Sequence, residues 1–452
     1  MKLTFFGGAE TVTGSKTLLE FDYQKILIDC GLFQGLKDLR KKNWDPLPVN
    51  PSNINYVFLT HAHLDHSGYL PLLVKNGYKG KIYCSHATRD LTKIILLDSG
   101  KIQEEDSQRA NKYKYTKHKP AIPLYGIEDA KEAITKLTPF EFNKWHTINK
   151  DIQFQFINSG HILGSAFIVL KINKKIIVFS GDVGRKNPIL LHPFEYIKKA
   201  NYVVLESTYG NRNHKKSSIL HSLLNCINHT YSKDGILIIP TFSVERAQEI
   251  IYLLSILKRE TSLPNIPIYL DSPMGVDATE IYFSHPKNHK LTSIDIQSMK
   301  STVQLISDVK ASKSVVFDTE PKIVMAGSGM ITGGRVLHYL ERLIGDKKNS
   351  VLIVGFQAEG TRGRALLSGD PEIKFFGKYH KINAEIFKIN EFSGHADQSE
   401  LMDWLQHFKT PPNLTFINHG EPHQSQALKT KIKNNLNWNC TIAKLNKEYY
   451  LG

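Results

Sequence analysis

Cysteine is scarce in this 452-residue chain: Cys30, Cys84, Cys226 and Cys440 are scattered, and no two are spaced as CxxC. That argues against a disulfide framework and a cysteine-built zinc site, and reads as buried thiols in a reducing compartment. Long apolar runs are missing too, none approaching the roughly 20 residues that a membrane helix needs. The amino terminus MKLTFFGGAE lacks the apolar stretch and cleavage site of a secretory signal and reads directly as a strand and a turn. A cytoplasmic location and no membrane partner are expected. Acidic residues fall short of basic ones, and the net charge is +15. Such an excess attracts polyanions such as nucleic acid or an anionic membrane, or marks a basic soluble protein with no such partner. No internal repeat, low-complexity tract or long linker interrupts the chain.

What is present is a chain long for one hydrophobic core, so two domains are expected. Up to residue 208 it reads mainly as strands: TLLEFDY, KILIDC, YVFLT, FQFIN, AFIVLKI, KKIIVFS and YVVLES. The first two look like a hairpin and the stretch from FQFIN to KKIIVFS like a meander. From about Gly210 apolar strands alternate with amphipathic helices, as in GILIIPTF followed by SVERAQEIIYLLSILKRE, which predicts a parallel, helix-covered sheet. After AEIFKIN come a polar loop, the helix LMDWLQHF, the strand NLTFINH and a last helix. The basic stretch RANKYKYTKHKP (109–120) reads as an exposed excursion.

The strongest chemical signal is His61-Ala-His63-Leu-Asp65-His66, directly after an apolar strand. Two residues apart at a strand end, His61 and His63 can share one ion, while Asp65 and His66, past the turn, can address a second. Imidazole and carboxylate donors suit zinc, with manganese or iron as alternatives. One motif cannot fill two coordination shells, and three further candidates stand at strand-to-loop junctions. His161, in Ser-Gly-His, would complete the first site. Asp182, in Ser-Gly-Asp, would lie between both ions, and His419, in Asn-His-Gly, would complete the second. Asp29, in Leu-Ile-Asp-Cys-Gly, is either an acceptor that fixes a histidine tautomer or the loop, or an aspartate capping a turn.

An HxHxDH motif followed in order by GH, GD and a late His-Gly resembles the metallo-β-lactamase superfamily. The resemblance implies an α+β fold, the αββα four-layer sandwich, built from residues 1–208 and 391–452. It also implies that His61, His63 and His161 hold one ion, Asp65, His66 and His419 the other, with Asp182 between them. Two zinc ions are the cofactors expected, Mn²⁺ or Fe²⁺ being the alternatives. The interval 209–390 is large enough for an inserted α/β domain, and here the chain resembles the β-CASP nucleases. Their added motifs match Glu206 in Val-Val-Leu-Glu, His395 in Phe-Ser-Gly-His with its Ser393, and His419. Together the two resemblances span nearly the whole chain. They imply hydrolysis of RNA phosphodiester bonds by a hydroxide held between two metal ions, with His395 as general acid, Glu206 orienting it, and Asp65 and Asp29 supporting catalysis.

For the substrate, Gly327-Ser-Gly-Met-Ile-Thr-Gly-Gly-Arg335 lies between a strand and a helix. Its Ser328, Gly329, Gly333 and Gly334 either receive a phosphate on backbone N–H groups or let the turn pack closely. Gln357, with Arg362 and Arg364, falls in a segment resembling one common in these nucleases. Arg246, Arg362 and Arg364 are candidate phosphate contacts or ordinary surface arginines. Rival readings are a DNA nuclease of the same superfamily, disfavoured by a histidine at 419, a thioester or lactone hydrolase, disfavoured by the inserted domain and the charge, and an inactive scaffold, disfavoured by the full ligand set. Because the chain starts at its first strand and ends soon after His419, it is expected to resemble compact bacterial and archaeal enzymes related to the endonuclease subunit of the pre-mRNA cleavage and polyadenylation machinery. Single-stranded RNA is the expected partner, and a homodimer is compatible with the reading. Endonucleolytic and 5′ exonucleolytic modes both stay open.

Overall fold

The computed structural model describes all residues except 115–116, 215–217, 261, 356, 358 and 390–391. Two compact units emerge, one from residues 1–213 with 395–452 and the other from 214–394. The segmentation read from the sequence sets its boundaries at 208/209 and 390/391, the second of which lies outside the described residues.

The first unit contains two seven-stranded sheets. Strands Lys2–Gly7, Lys16–Phe21, Gln24–Ile28, Tyr56–Phe58 and Ile82–Ser85 follow one another across the first sheet. The second runs from Leu414–Ile417 through Tyr202–Leu205, Lys175–Phe179 and Ala166–Ile172 to Ile152–Asn158. The hairpin expected at the start pairs Phe21 with Gln24. Its two loop residues, Asp22 and Tyr23, both take positive φ. That is the backbone of a type I′ turn, whose twist matches the flanking strands. The meander repeats the device with Asn173 and Lys174, both at positive φ between paired Ile172 and Lys175.

Alternation of apolar residues gives each sheet a face for the other. Leu3, Phe5, Leu19, Ile26 and Phe58 from the first sheet form one buried cluster with Phe154, Phe156, Ile168, Ile177 and Phe416 from the second. The outer face of the first sheet (Leu18, Leu27, Val57) packs with Leu70, Leu73, Leu96 and Ala130 of its helices. The outer face of the second (Phe167, Val178, Val203) packs with Trp404, Leu405, Leu428 and Ile432. Those layers make the α+β, four-layer αββα arrangement, an apolar stripe on each helix meeting an apolar face on each sheet. The second unit has a six-stranded sheet in which every neighbouring pair is parallel, with helices in its core cluster.

One element departs from the sequence reading. The basic stretch 109–120 is exposed over its described residues apart from Ala110, but Arg109–Tyr113 is the end of a 28-residue helix, His86–Tyr113. Polar residues crowd the second half of that helix, so no apolar period marks it.

Candidate metal centre

Strand order explains where the functional side chains gather. Gln24–Ile28 and Tyr56–Phe58 are parallel neighbours, and so are Lys175–Phe179, Tyr202–Leu205 and Leu414–Ile417. Parallel strands end on the same side. Asp29, His61, Asp182, Glu206 and His419 each come within three residues of such a carboxyl end, and His161 occupies the loop between Ile152–Asn158 and Ala166–Ile172. Glycine lets the loops close on one another: a Cβ on Gly31 would lie 1.6 Å from the Asp65 carbonyl oxygen.

The result is a set of donors in two groups sharing one residue, all buried except half-buried His63 and Asp65. His61 Nε2 and His161 Nε2 each lie 3.1 Å from His63 Nδ1, and 3.4 and 3.3 Å from Asp182 Oδ2. Around the second group, His66 Nε2 is 3.2 Å from His419 Nε2, and His419 Nε2 is 3.5 Å from Asp65 Oδ2. Asp182 turns its other oxygen, Oδ1, to this group, 3.3 Å from His66 Nε2. A tetrahedral ion bound at about 2.0–2.1 Å separates its donors by roughly 3.3 Å, so these spacings suit a divalent cation. Asp182 Oδ1 is moreover buried without a well-formed hydrogen bond, a costly state for a carboxylate oxygen unless a cation meets it.

Protonation agrees with a ligand role. Burial holds His61 well below the usual imidazole range and takes His63 down to about 4, so both rings are neutral. For Asp182, burial pushes upward, but His419, His66, His61 and His395 outweigh it and keep the carboxylate ionised. Asp65 falls to about 2, burial again being outweighed by its hydrogen bond to His419 and the charge on His66. His66 goes the other way, because Asp182 and Asp29 overcome the effect of burial and hold it well above its ordinary value.

Tautomers are set from behind. Asp29 accepts from the Thr60 backbone N–H at 2.8 Å and meets His66 Nδ1 at 2.7 Å. Thr60 Oγ1 lies 2.9 Å from Asp29 Oδ2 and 3.0 Å from His61 Nδ1. Its single proton goes to the carboxylate, so it accepts from His61 Nδ1–H. Both rings then present an unprotonated Nε2 once His66 has given up its second proton. Sequence reading passed over Thr60; its position directly before His61 was the only signal.

Beside the donors, His395 Nδ1 contacts Glu206 Oε1 at 3.0 Å, and the same oxygen accepts from the Val183 N–H at 2.7 Å. Glu206 Oε2 accepts from the Thr208 N–H. His395 Nε2 faces the donor cluster, 3.9 Å from Asp182 Oδ2. Burial pulls His395 down, but Glu206, Asp182 and Asp65 raise it to about 9. Tyr209, which the sequence reading did not single out, sets its ring edge-on to His395 at 5.9 Å between centroids. Ser393 is half-buried two residues away.

The remaining candidates belong to the second unit. Arg246 is buried, pairs with Glu249 and stacks on Phe392, and Arg362 donates to the carbonyls of Lys374, Ile331 and Thr332. Neither is the free surface arginine considered from the sequence, because both guanidinium groups brace their own unit. Arg364 is exposed. Gln357 is buried and donates to the Gly329 carbonyl. In the glycine loop, close packing governs Gly329 and Gly334, where a Cβ would meet Phe242 at 2.6 Å and the Gly327 oxygen at 2.4 Å. The N–H groups of Val336, Leu337 and His338 already donate to loop carbonyls, so the first turn of helix Val336–Leu343 is not a free anion site. Gly333 has open space, and Ser328 Oγ accepts from the Thr332 N–H.

An αββα sandwich with a histidine and aspartate cluster at the strand ends defines a metallo-hydrolase. A metallo-β-lactamase superfamily model matches residues 13–228, a Beta-Casp domain 247–366, and a Zn-dependent metallo-hydrolase RNA specificity domain 379–443. The chain belongs to the β-CASP ribonuclease family of the metallo-β-lactamase superfamily. It is 35% identical to Ribonuclease TTHA0252 of Thermus thermophilus over 95% of both chains. An RNase J-like protein of Methanocaldococcus jannaschii is 32% identical, again over 95% of each. Transcription termination factor FttA of Methanosarcina mazei is 32% identical over 93% of this chain and 67% of its own length. A crystal structure of a protein of unknown function from Enterococcus faecalis shares the fold, with a TM-score of 0.55 at 11% identity and coverage of 100% and 99%. Among the described residues, no helix is long and apolar enough to cross a membrane.

Proposed function

We propose that this protein hydrolyses phosphodiester bonds of single-stranded RNA with two divalent metal ions, zinc being the first candidate, and with His395 as the general acid. The observation that carries the reading is Asp182, whose two oxygens face two separate donor groups while His395 Nε2 lies within 4 Å of one of them. Bound ions would supply an acidified water and neutralise charge on the phosphate. His61, His63, His161 and Asp182 would hold one, and Asp65, His66, His419 and Asp182 the other. Asp29 and Thr60 keep the rings turned toward them. His395 then protonates the leaving oxygen, and Glu206, held by two backbone N–H groups, fixes the ring and favours its charged form. RNA as substrate is supported by the ribonuclease relatives, by the RNA specificity match and by the net charge of +15. Exposed Arg364 and half-buried Ser328 and Gly333 are the candidates left to meet the phosphate chain.

Incubating the protein with 5′- and 3′-labelled RNA, matched DNA and a thioester tests the substrate. RNA ladders without DNA or thioester turnover are expected, and their pattern separates endonucleolytic from 5′ exonucleolytic cleavage. Turnover of the thioester alone would end the proposal. Affinity for RNA should drop steeply between low and physiological salt, since each phosphate contact releases counterions with a log–log slope near −0.7 for single strands. A flat salt profile would contradict the polyanion reading.

Elemental analysis after supply of zinc or manganese should find two ions per chain. Uptake should also release protons at neutral pH, because the ion-free protein carries a proton on His66, whose value is raised, and the ion must displace it. Affinity for metal therefore weakens as pH falls. A reproducible stoichiometry of one would break the two-ion scheme.

A further inference from the structure

We propose that the end of helix His86–Tyr113, with Lys114, Lys117 and Lys119 after it, forms a second RNA-binding element, which holds substrate far from the scissile bond. The inference rests on RNA being the substrate. Arg109, Lys112, Lys114, Lys117 and Lys119 lie in a stretch with no carboxylate between Asp106 and Glu128, and all five are exposed. Among the described residues none of them forms an ion pair. Tyr113 is 65% exposed beside Lys112, and Ile122 is 62% exposed. Cations interleaved with an accessible ring suit single-stranded nucleic acid, where lysines follow the phosphates and rings stack on bases.

The array is held in place. Asn111 donates to the Ala121 carbonyl at 2.9 Å and accepts its N–H at 2.7 Å, fastening the last turn of the helix to the returning chain. Below that, Gln103 accepts the Leu124 N–H and Glu104 the Ile127 N–H, so the returning chain is fastened along the helix. At its other end the helix is tied to the metal centre: Ser85 and Thr88 donate to the carbonyl of Gly164, in the loop that carries His161. Twenty-eight residues of helix span about 42 Å. The basic end is therefore on the order of 40 Å from the His161 loop, about 12 nucleotides at a stacked rise of roughly 3.4 Å. A short RNA reaches only the centre, whereas a long one reaches both.

The test compares wild type with a variant carrying Lys112→Ala, Lys114→Ala, Lys117→Ala and Lys119→Ala, on RNAs of about 6 and about 30 nucleotides. A control with Lys37→Ala, Lys287→Ala, Lys310→Ala and Lys313→Ala removes the same charge elsewhere. Affinity for the long RNA should fall about tenfold or more in the first variant, with a log–log salt slope shallower by about 2–3, and the short RNA should be cleaved at the wild-type rate. Melting temperature should not move, the side chains being exposed. Equal affinity for long RNA, an equal loss in the control, or an equal loss on both RNA lengths would overturn the proposal. So would poly-glutamate competing with RNA as an equal ligand, which would make the element a docking site for acidic proteins. Binding is read independently of cleavage, so a wild type that binds but does not cut RNA refutes the ribonuclease reading and not this one.

Discussion

Replacing His395 by alanine is expected to leave metal content and RNA affinity intact while cleavage falls by on the order of 10²–10⁴-fold. His395 is 3.0 Å from Glu206 through Nδ1 and aims Nε2 at the donor cluster, yet the ring belongs to neither group of proposed ligands. If it delivers the proton as proposed, the loss should shrink on a phosphodiester with a nitrophenolate leaving group, which departs without a proton. The pH profile gives a second readout. A histidine raised to about 9 is charged at neutral pH, and the rate that depends on its proton is lost as pH rises through that value. Ions bound nearby would oppose the carboxylates that raise it, which puts the alkaline limb at or below that pH. His395→Ala should lack the limb. Loss of a metal ion, or an equal rate loss on both substrates, would place His395 in the architecture of the site instead.

Asp182→Ala is expected to be more severe, removing activity by at least on the order of 10³-fold together with metal from both positions. Bound ions would contribute several kcal/mol of charge stabilisation, each 1.36 kcal/mol being tenfold in rate. With Asp182 gone, seven proposed ligands become six neighbours of which five are histidines and one, Asp65, is anionic, and the two positions lose their common anion. His66 also changes state: Asp182 is one of the two carboxylates that keep it protonated without metal, so its value should drop toward the ordinary range in the variant. His419→Ala offers the graded comparison, since it touches only the second group and should lower occupancy there, with partial recovery in excess metal. Elemental analysis and single-turnover rates on the same preparations decide between them. Full metal content with full loss of rate in Asp182→Ala would show that the aspartate is not a shared ligand.

Much of the centre could be read in the sequence because its chemistry is local. His61, His63, Asp65 and His66 stand within six residues, and their side-chain types announce a cation without any tertiary information. The strands could be read for a similar reason: alternation of period two reports a half-buried sheet face, as in Ile152–Asn158. Thr60 and Tyr209 escaped, since a threonine after a strand and a tyrosine in a turn carry no signal until a partner is placed beside them. Arginines misled in the opposite direction. Charge suggests solvent, whereas Arg246 meets Glu249 and Phe392 in its own core, a partnership that only folding supplies.

By itself the sequence determined the residue types that can ligate, their order along the chain, the periodicities that build a strand-rich part and a parallel α/β part, and an excess of positive charge. Those are properties of a residue and its near neighbours. Tertiary structure decided that His66 and His419, 353 positions apart, meet at 3.2 Å, and that Asp182 divides its oxygens between two groups. It also decided that a polar, aperiodic stretch continues as helix to Tyr113, fastened to its return segment by Asn111, Gln103 and Glu104. Distances of that kind follow from strand order and loop closure, which depend on which apolar faces pack together. Such packing is a property of the whole chain, and no window of sequence contains it.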